Sequence, residues 1–339
     1  MIFRANFRKR ISKSVLCLAA VLLLSLPLTA SDCTTEITEQ TRELEKRYEA
    51  EKTTTASEKE DPTESEKAGS YTAPELLWSP YKGAIAVEDG EIIVDESGLS
   101  KGYVGFSVKA QDQIVVQISK DDYKYTYYDF SYDAEPSTIP LTMGNGSYAY
   151  SVWEHREGTK YACIGKGEFE VELEDDFQPY LRPSDFVYYH EESEVIEKGE
   201  ALAKNADTDL DVVREVYDYV TKNIKYDMEK AEHPMSSIPA EPDETMETGY
   251  GICLDYAALA AALLRTQGIP TKMIYGDVGE NDIYHAWNMF YTQETGWVTV
   301  DFQIKKRFSW YRLDLTFSAS GAPAEYVGDG GNYRDLYTY

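Results

Sequence analysis

Cys253 and His285 are the two residues of this chain whose types and surroundings could do nucleophilic chemistry together. Cys253 stands in Gly249-Tyr-Gly-Ile-Cys-Leu-Asp-Tyr-Ala257, where two glycines lead into an Ala/Leu-rich run. His285 stands in Tyr284-His-Ala-Trp-Asn288, among strand formers. A thiol attacks as its thiolate, and the unpaired N–H groups and dipole of a helix N-terminus favour that anion. The same N–H groups can hold the oxyanion of a tetrahedral intermediate. An imidazole in reach would take the proton and return it to a leaving group. Each residue alone has a plainer reading: a small buried apolar cysteine, or a core histidine bonded to a backbone carbonyl. The other histidines offer less, since His155 and His190 sit in charged, loop-like contexts and His233 precedes a proline.

The elements that must carry this pair are legible. Leu254, Ala257, Ala258, Ala261, Ala262 and Leu264 recur at spacings of three and four, which predicts a helix from Ile252 to about Gln267. Gly268 suits the left-handed position past its end, and Pro270 prevents continuation. Ile283 to Phe290 reads as a strand, and Gly296 to Asp301 resumes after the polar Thr292–Thr295 turn as its hairpin partner. A further helix begins near Thr208-Asp209, and Val195 to Ala203 forms another.

From about Asp209 to Tyr339 the chain resembles the transglutaminase-like superfamily, the papain-related group of Cys-His-Asp proteins. Gly251, Cys253, Asp255, Tyr256 and Ala257 match its Gly-x-Cys-x-Asp-Tyr-Ala segment. Gly268-Ile-Pro270 matches the step that follows, His285 to Asn288 the His-Ala-Trp-Asn segment, and Val212 to Asp227 the lead-in helix. The resemblance implies a catalytic triad whose third member, an aspartate, orients the imidazole. Two candidates stand four residues after a tryptophan. Asp314 follows Trp310 and continues Leu-Thr-Phe, nearer the family's pattern although without its proline. Asp301 follows Trp297 and suits a simple hairpin, in which residues near 287 oppose it and His285 is a diagonal neighbour. Asp314 is preferred and Asp301 is its rival. No tryptophan lies between Trp153 and Trp287, so the oxyanion donors expected are the Cys253 backbone N–H and the hydroxyl of Tyr226 or Tyr250.

Residues 1–30 read as a signal peptide: Arg8-Lys-Arg10 and Lys13 precede an apolar run from Val15 to Leu28, and Leu28-Thr-Ala30 resembles a cleavage site. Cys33 stands where a lipid could be attached, although Asp32 before it departs from the pattern. Residues 31–70, rich in Glu, Lys, Thr and Ser, cannot bury enough apolar surface to fold and read as a tether. Residues 71–175 hold short strands at 102–108, 113–118, 123–132, 147–153 and 167–173, with turns at Gly144-Asn-Gly146 and Arg156-Glu-Gly158. They predict a β-sandwich of immunoglobulin-like type with Cys163 buried in a strand. The tyrosines at 123, 125, 127, 128 and 132 read as half-buried strand positions rather than a glycan or peptide surface. The fold class expected is therefore α+β, with a transglutaminase-like, cysteine-protease-like domain over 176–339 behind the sandwich.

A net charge of -27 argues against nucleic acid as a partner. The acidic clusters Glu172–Asp176 and Glu241–Glu247 could hold calcium, but they lack the ligand spacing of a calcium loop and read as solvated faces. No cofactor is implied. A Cys163–Cys253 disulfide would abolish the nucleophile. The function expected is an exported, secreted or surface-attached cysteine enzyme that forms a thioester on peptide carboxamides. Hydrolysis of a protein or cell-wall peptide is favoured over cross-linking, and the membrane is touched only through the signal or a lipid on Cys33. The alternative is a non-catalytic surface-binding module with a vestigial triad.

Overall fold

The computed structural model describes residues 69–81, 91–110, 112–128, 136–232, 240–278, 283–293, 295–298 and 333–339. The signal segment, nearly all of the tether, Cys33, His233, Asp301 and Asp314 lie outside them.

Seven strands form the first half: β1 (Ile92–Asp95), β2 (Tyr103–Val108), β3 (Ile114–Lys120), β4 (Tyr123–Tyr128), β5 (Ser137–Pro140), β6 (Gly146–Glu157) and β7 (Lys160–Val171). They pair into two antiparallel sheets, β1-β2-β5 and β4-β3-β6-β7. An immunoglobulin fold divides its strands in the same way, placing the first, second and fifth opposite the third, sixth and seventh. Ile114, Val116 and Ile118 alternate inward from β3, and Phe106 meets Tyr150 edge-on at 5.3 Å across the sandwich. Composition revealed neither β1 nor β5.

Cys163 corrects the expectation of a buried strand cysteine: it is exposed, and both it and Cys253 are free thiols, so no Cys163–Cys253 disulfide forms. The reason is local. Pairing slips by one residue between Val152↔Gly165 and Trp153↔Cys163. Phe169 and Val171 face inward below that bulge, and one extra residue reverses the facing of everything beyond it.

The second half is built on helices α1 (Glu194–Ala203), α2 (Asp209–Asn223), α3 (Met228–Glu232), α4 (Pro242–Thr248) and α5 (Cys253–Arg265). Two short strands, β8 (Lys225–Tyr226) and β9 (Tyr250–Gly251), pair in parallel. Thr208 starts α2 with a reciprocal cap, its Oγ1 accepting from the Asp211 N–H while Asp211 accepts from the Thr208 N–H. Val212, Val213, Val216 and Val220 then form one buried stripe. Every residue of α5 from Asp255 to Arg265 is buried, so α5 is the central helix rather than an amphipathic surface one. Gly268 (φ +74) ends this region, and a Cβ there would lie 2.0 Å from Pro74, so the segment 69–81 crosses the helical half at a point only glycine permits.

The four-stranded sheet of this half orders β12-β11-β10-β13, from β10 (Thr271–Val278), β11 (Ile283–Thr292), β12 (Gly296–Val298) and β13 (Tyr333–Thr338). The two halves meet through tyrosines. Tyr125 and Tyr127 of β4 pack on Tyr339 at 5.6 and 5.9 Å, and Tyr339 stacks on Phe186 at 3.7 Å. Tyr123, by contrast, is exposed.

Candidate active site

Helix α5 is pinned to the β12-β11-β10-β13 sheet at two places, and these fix its direction. At its C-terminal end the Arg265 guanidinium donates twice to Thr271 O, and Thr271 is the register partner of Phe290 late in β11. Nearer its start, Asn288 Nδ2 donates to Ala257 O at 3.0 Å and Lys272 O at 3.3 Å. The helix therefore runs in the same sense as β11, and Cys253, one turn before Ala257, is carried toward the beginning of that strand. One residue supports the placement. The Tyr275 hydroxyl, on the β10 position opposite Ala286, is raised well above its ordinary value by burial first and then by Cys253 and Asp255. Ala286 is the neighbour of His285.

His285 is 5% exposed and faces Gly276 across the ladder. Its ring lies 6.2 Å from that of Trp287, two residues on. Ala286 and Phe290 pack into the main core with α5, whereas Trp287 forms a separate cluster with Ile274. Alternation thus puts His285 on the Trp287 side of the sheet, and the thiol stands at the N-terminal tip of α5. Gly276 is needed beneath this pair: a Cβ would sit 2.5 Å from the Trp287 ring and 2.1 Å from Arg334 O.

Cys253 is partly exposed and opens α5. Ile252 has no side-chain acceptor, so only half of a capping box forms: Asp255 Oδ2 accepts the Ile252 N–H at 2.8 Å. The N–H groups of Cys253 and Leu254 remain as the open donors of the first turn. Asp255, 1% exposed, is also held by Lys230, whose Nζ lies 2.8 Å from Oδ2 and 2.9 Å from Oδ1. Tyr226 pairs with Gly251, two residues ahead of the thiol. Burial raises its hydroxyl above the usual value, and Cys253 raises it further, so it stays a donor. Tyr250, named with it as a donor, is 50% exposed.

The β11–β12 register, Phe290↔Val298 to Thr292↔Gly296, is the one a turn at 292–295 implies. The two aspartates weighed for the third place, Asp301 and Asp314, are outside the described residues. Asp277, a buried carboxylate on β10, does not stand in for them. It pairs with Arg334 and lies opposite Tyr284, on the other face from His285. Among the described residues no group of three or more His, Cys, Asp or Glu side chains converges on a metal position.

Residues 197–302 match the family model described as the transglutaminase-like superfamily. The matched stretch, residues 197–302, is a transglutaminase-like domain. A comparison with curated proteins finds no match. Solved structures similar to the chain include a candidate cysteine protease from Cytophaga hutchinsonii (15% identity, 69% of this chain and 73% of that one, TM-score 0.36). Legionella pneumophila LapG is another (16% identity, 43% and 70%, TM-score 0.28), as is red sea bream transglutaminase (14%, 69% and 56%, TM-score 0.28). These likenesses are partial, and none bears on what this transglutaminase-like domain acts upon. The sequence singled out Cys253, His285 and Tyr226; it did not single out Lys230, Tyr275 or the capping role of Asp255. The last was findable, since a carboxylate at the third helical position is half of a capping box.

Proposed function

We propose that the transglutaminase-like domain is a cysteine acyl-transfer enzyme acting on peptide carboxamides, with water the favoured acceptor, and that the protein works outside the cytoplasm. The observation that carries this reading is a partly exposed free thiol heading a buried helix that is docked, in parallel, on the strand of His285. The Cys253 thiolate attacks the carboxamide carbon, and the oxyanion is met by the Cys253 N–H and the Tyr226 hydroxyl. The C–N bond breaks as the amine takes a proton from His285, leaving a thioester. Water then gives its proton to His285 and its oxygen to the carbonyl; the acid and the thiol are released. An aspartate, Asp314 before Asp301, holds the imidazole. Export rests on the basic-then-apolar N-terminus, and a protein or cell-wall peptide is the substrate class.

Cys163 supplies an internal standard, because it is an exposed free thiol in the same molecule. Iodoacetamide at neutral pH should alkylate Cys253 well ahead of Cys163, and His285→Ala should remove the difference. A three-carbon bis-electrophile should bridge Cys253 to His285 in the intact protein, read by mass spectrometry. Ammonia or amine release from glutaminyl peptides should vanish in Cys253→Ala. Equal alkylation of the two cysteines with no bridge would refute catalysis and leave the fold as a binding module.

A further inference from the structure

We propose that Lys230 is a positioning residue for the nucleophile: its ammonium cancels the field of the buried Asp255 carboxylate at the Cys253 sulfur while letting that carboxylate keep the first turn of α5 in place. This rests on the acyl-transfer reading of the site.

The helix needs an acceptor for the Ile252 N–H, and Asp255 provides it at 2.8 Å from a side chain 2% exposed. That solution creates a difficulty for the chemistry. A carboxylate two residues from the nucleophile, in the same helical turn, opposes the formation of a second negative charge. The carboxylate is buried beside a partly exposed thiol, and the Tyr226 and Tyr275 hydroxyls are each raised by both Cys253 and Asp255. In such a setting like charges interact far more strongly than in water. Lys230 removes the conflict by sitting astride both carboxylate oxygens, at 2.8 and 2.9 Å.

The placement of Lys230 is built rather than incidental. Asp227 donates its N–H to Gly251 O at 2.9 Å and accepts the Lys230 N–H on Oδ1 at 2.8 Å, so α3 starts from the ribbon that leads into Cys253. Pairs such as Lys222–Asp218 and Lys120–Asp121 join carboxylates that are half-exposed or exposed, where an ion pair contributes little. Lys230–Asp255 has a buried carboxylate, which without its cation is costly. The charged and titratable groups facing this pocket are Tyr226 and Asp227 beside α3, Tyr256 on α5 and Tyr275 on β10.

The test is the rate of Cys253 alkylation by iodoacetamide at pH 7 in the full chain, with Cys163 as the reference. Lys230→Met should slow Cys253 about tenfold relative to Cys163, and Lys230→Arg should recover most of the rate. The double variant Lys230→Met/Asp255→Asn should return to within about twofold of wild type, because the amide still accepts the Ile252 N–H and no carboxylate is left to cancel. Asp255→Asn alone, with the lysine retained, should speed alkylation several-fold; this arm decides the matter if Lys230→Met does not fold. A folded Lys230→Met with wild-type alkylation overturns the proposal. So does a double variant as slow as the single one, which would make the lysine a structural prop, or an Asp255→Asn no faster than wild type. Failure of the acyl-transfer reading is seen separately, as absent carboxamide turnover in wild type, whatever the ratio between variants.

Discussion

Asn288→Ala tests whether the docking of α5 on β11 sets the reactive geometry. Asn288 is 1% exposed and gives Nδ2 to Ala257 O at 3.0 Å and Lys272 O at 3.3 Å, tying helix, β10 and β11 at one point. Each bond is worth about 0.5–1.5 kcal/mol net. Their loss, with little cavity added, should lower stability by about 2 kcal/mol and Tm by about 5 °C. At 25 °C the variant stays folded, so stability alone predicts almost no change in activity. The geometry predicts more. Cys253 lies one turn, about 5.4 Å, beyond the pinned carbonyl, and a misplacement on the order of 1 Å at a reacting centre costs about a hundredfold. Carboxamide turnover and Cys253 alkylation, both measured 20 °C or more below the melting transition, should therefore fall far more than the folded fraction does. A variant that melts earlier but turns over within twofold of wild type would refute the reasoning, because the pin would then support the fold without placing the thiol.

Two further perturbations probe what holds the domain together. Arg265 is 1% exposed, and burial lowers its pKa to about 10, a cost of about 3 kcal/mol offset by hydrogen bonds to the carbonyls of Thr271, Arg182 and Tyr339. Arg265→Met relieves that cost but removes the donor from each carbonyl, so urea unfolding should show a loss of roughly 3 kcal/mol, with Arg265→Lys a poor rescue for want of the planar fork. Asp185, between β7 and α1, accepts the Thr138 N–H of β5 at 2.7 Å; although the residue is partly exposed, its carboxyl is buried, which pushes it up to about 7. The folded state holds that proton above the unfolded value of 3.8, so this group's contribution is full below about pH 4 and is lost as pH rises to 7. The stability difference between Asp185→Asn and wild type should therefore grow in the variant's favour between pH 4 and 7, and a flat difference would refute the assignment.

Local rules made much of this structure legible. The 3- and 4-residue spacing of alanines and leucines gave α5 its limits within two residues, and Thr208 marked the start of α2 through its own side chain. What stayed hidden depends on contacts distant in sequence. β1 and β5 are four residues each, too short to show a period, and exist because β2 offers them two edges. The facing of Cys163 turned on a bulge set by its partner strand. The burial of Tyr125 and Tyr127 depends on Tyr339 and Phe186, far along the chain. At the site, Cys253, His285 and Tyr226 had local signatures, whereas Lys230 is twenty-five residues from Asp255 and meets it only because β8 and β9 pair.

The burial of α5 also explains why its first turn is where chemistry would be placed. From Asp255 onward the helix is enclosed on every side, so it cannot shift without disturbing core packing, and only Cys253 and Leu254 keep partial exposure. A nucleophile needs rigid positioning and access to substrate at once, and one end of a fully packed helix satisfies both. The open N–H groups at that end supply an electrostatic site without a further side chain. Its weakness is the same dependence on packing. A cavity made by Leu259→Ala or Leu263→Ala, each at a fully buried position, would be transmitted along α5 to the thiol. Loss of reactivity with distance along the helix would then measure how rigidly the core holds the reactive end.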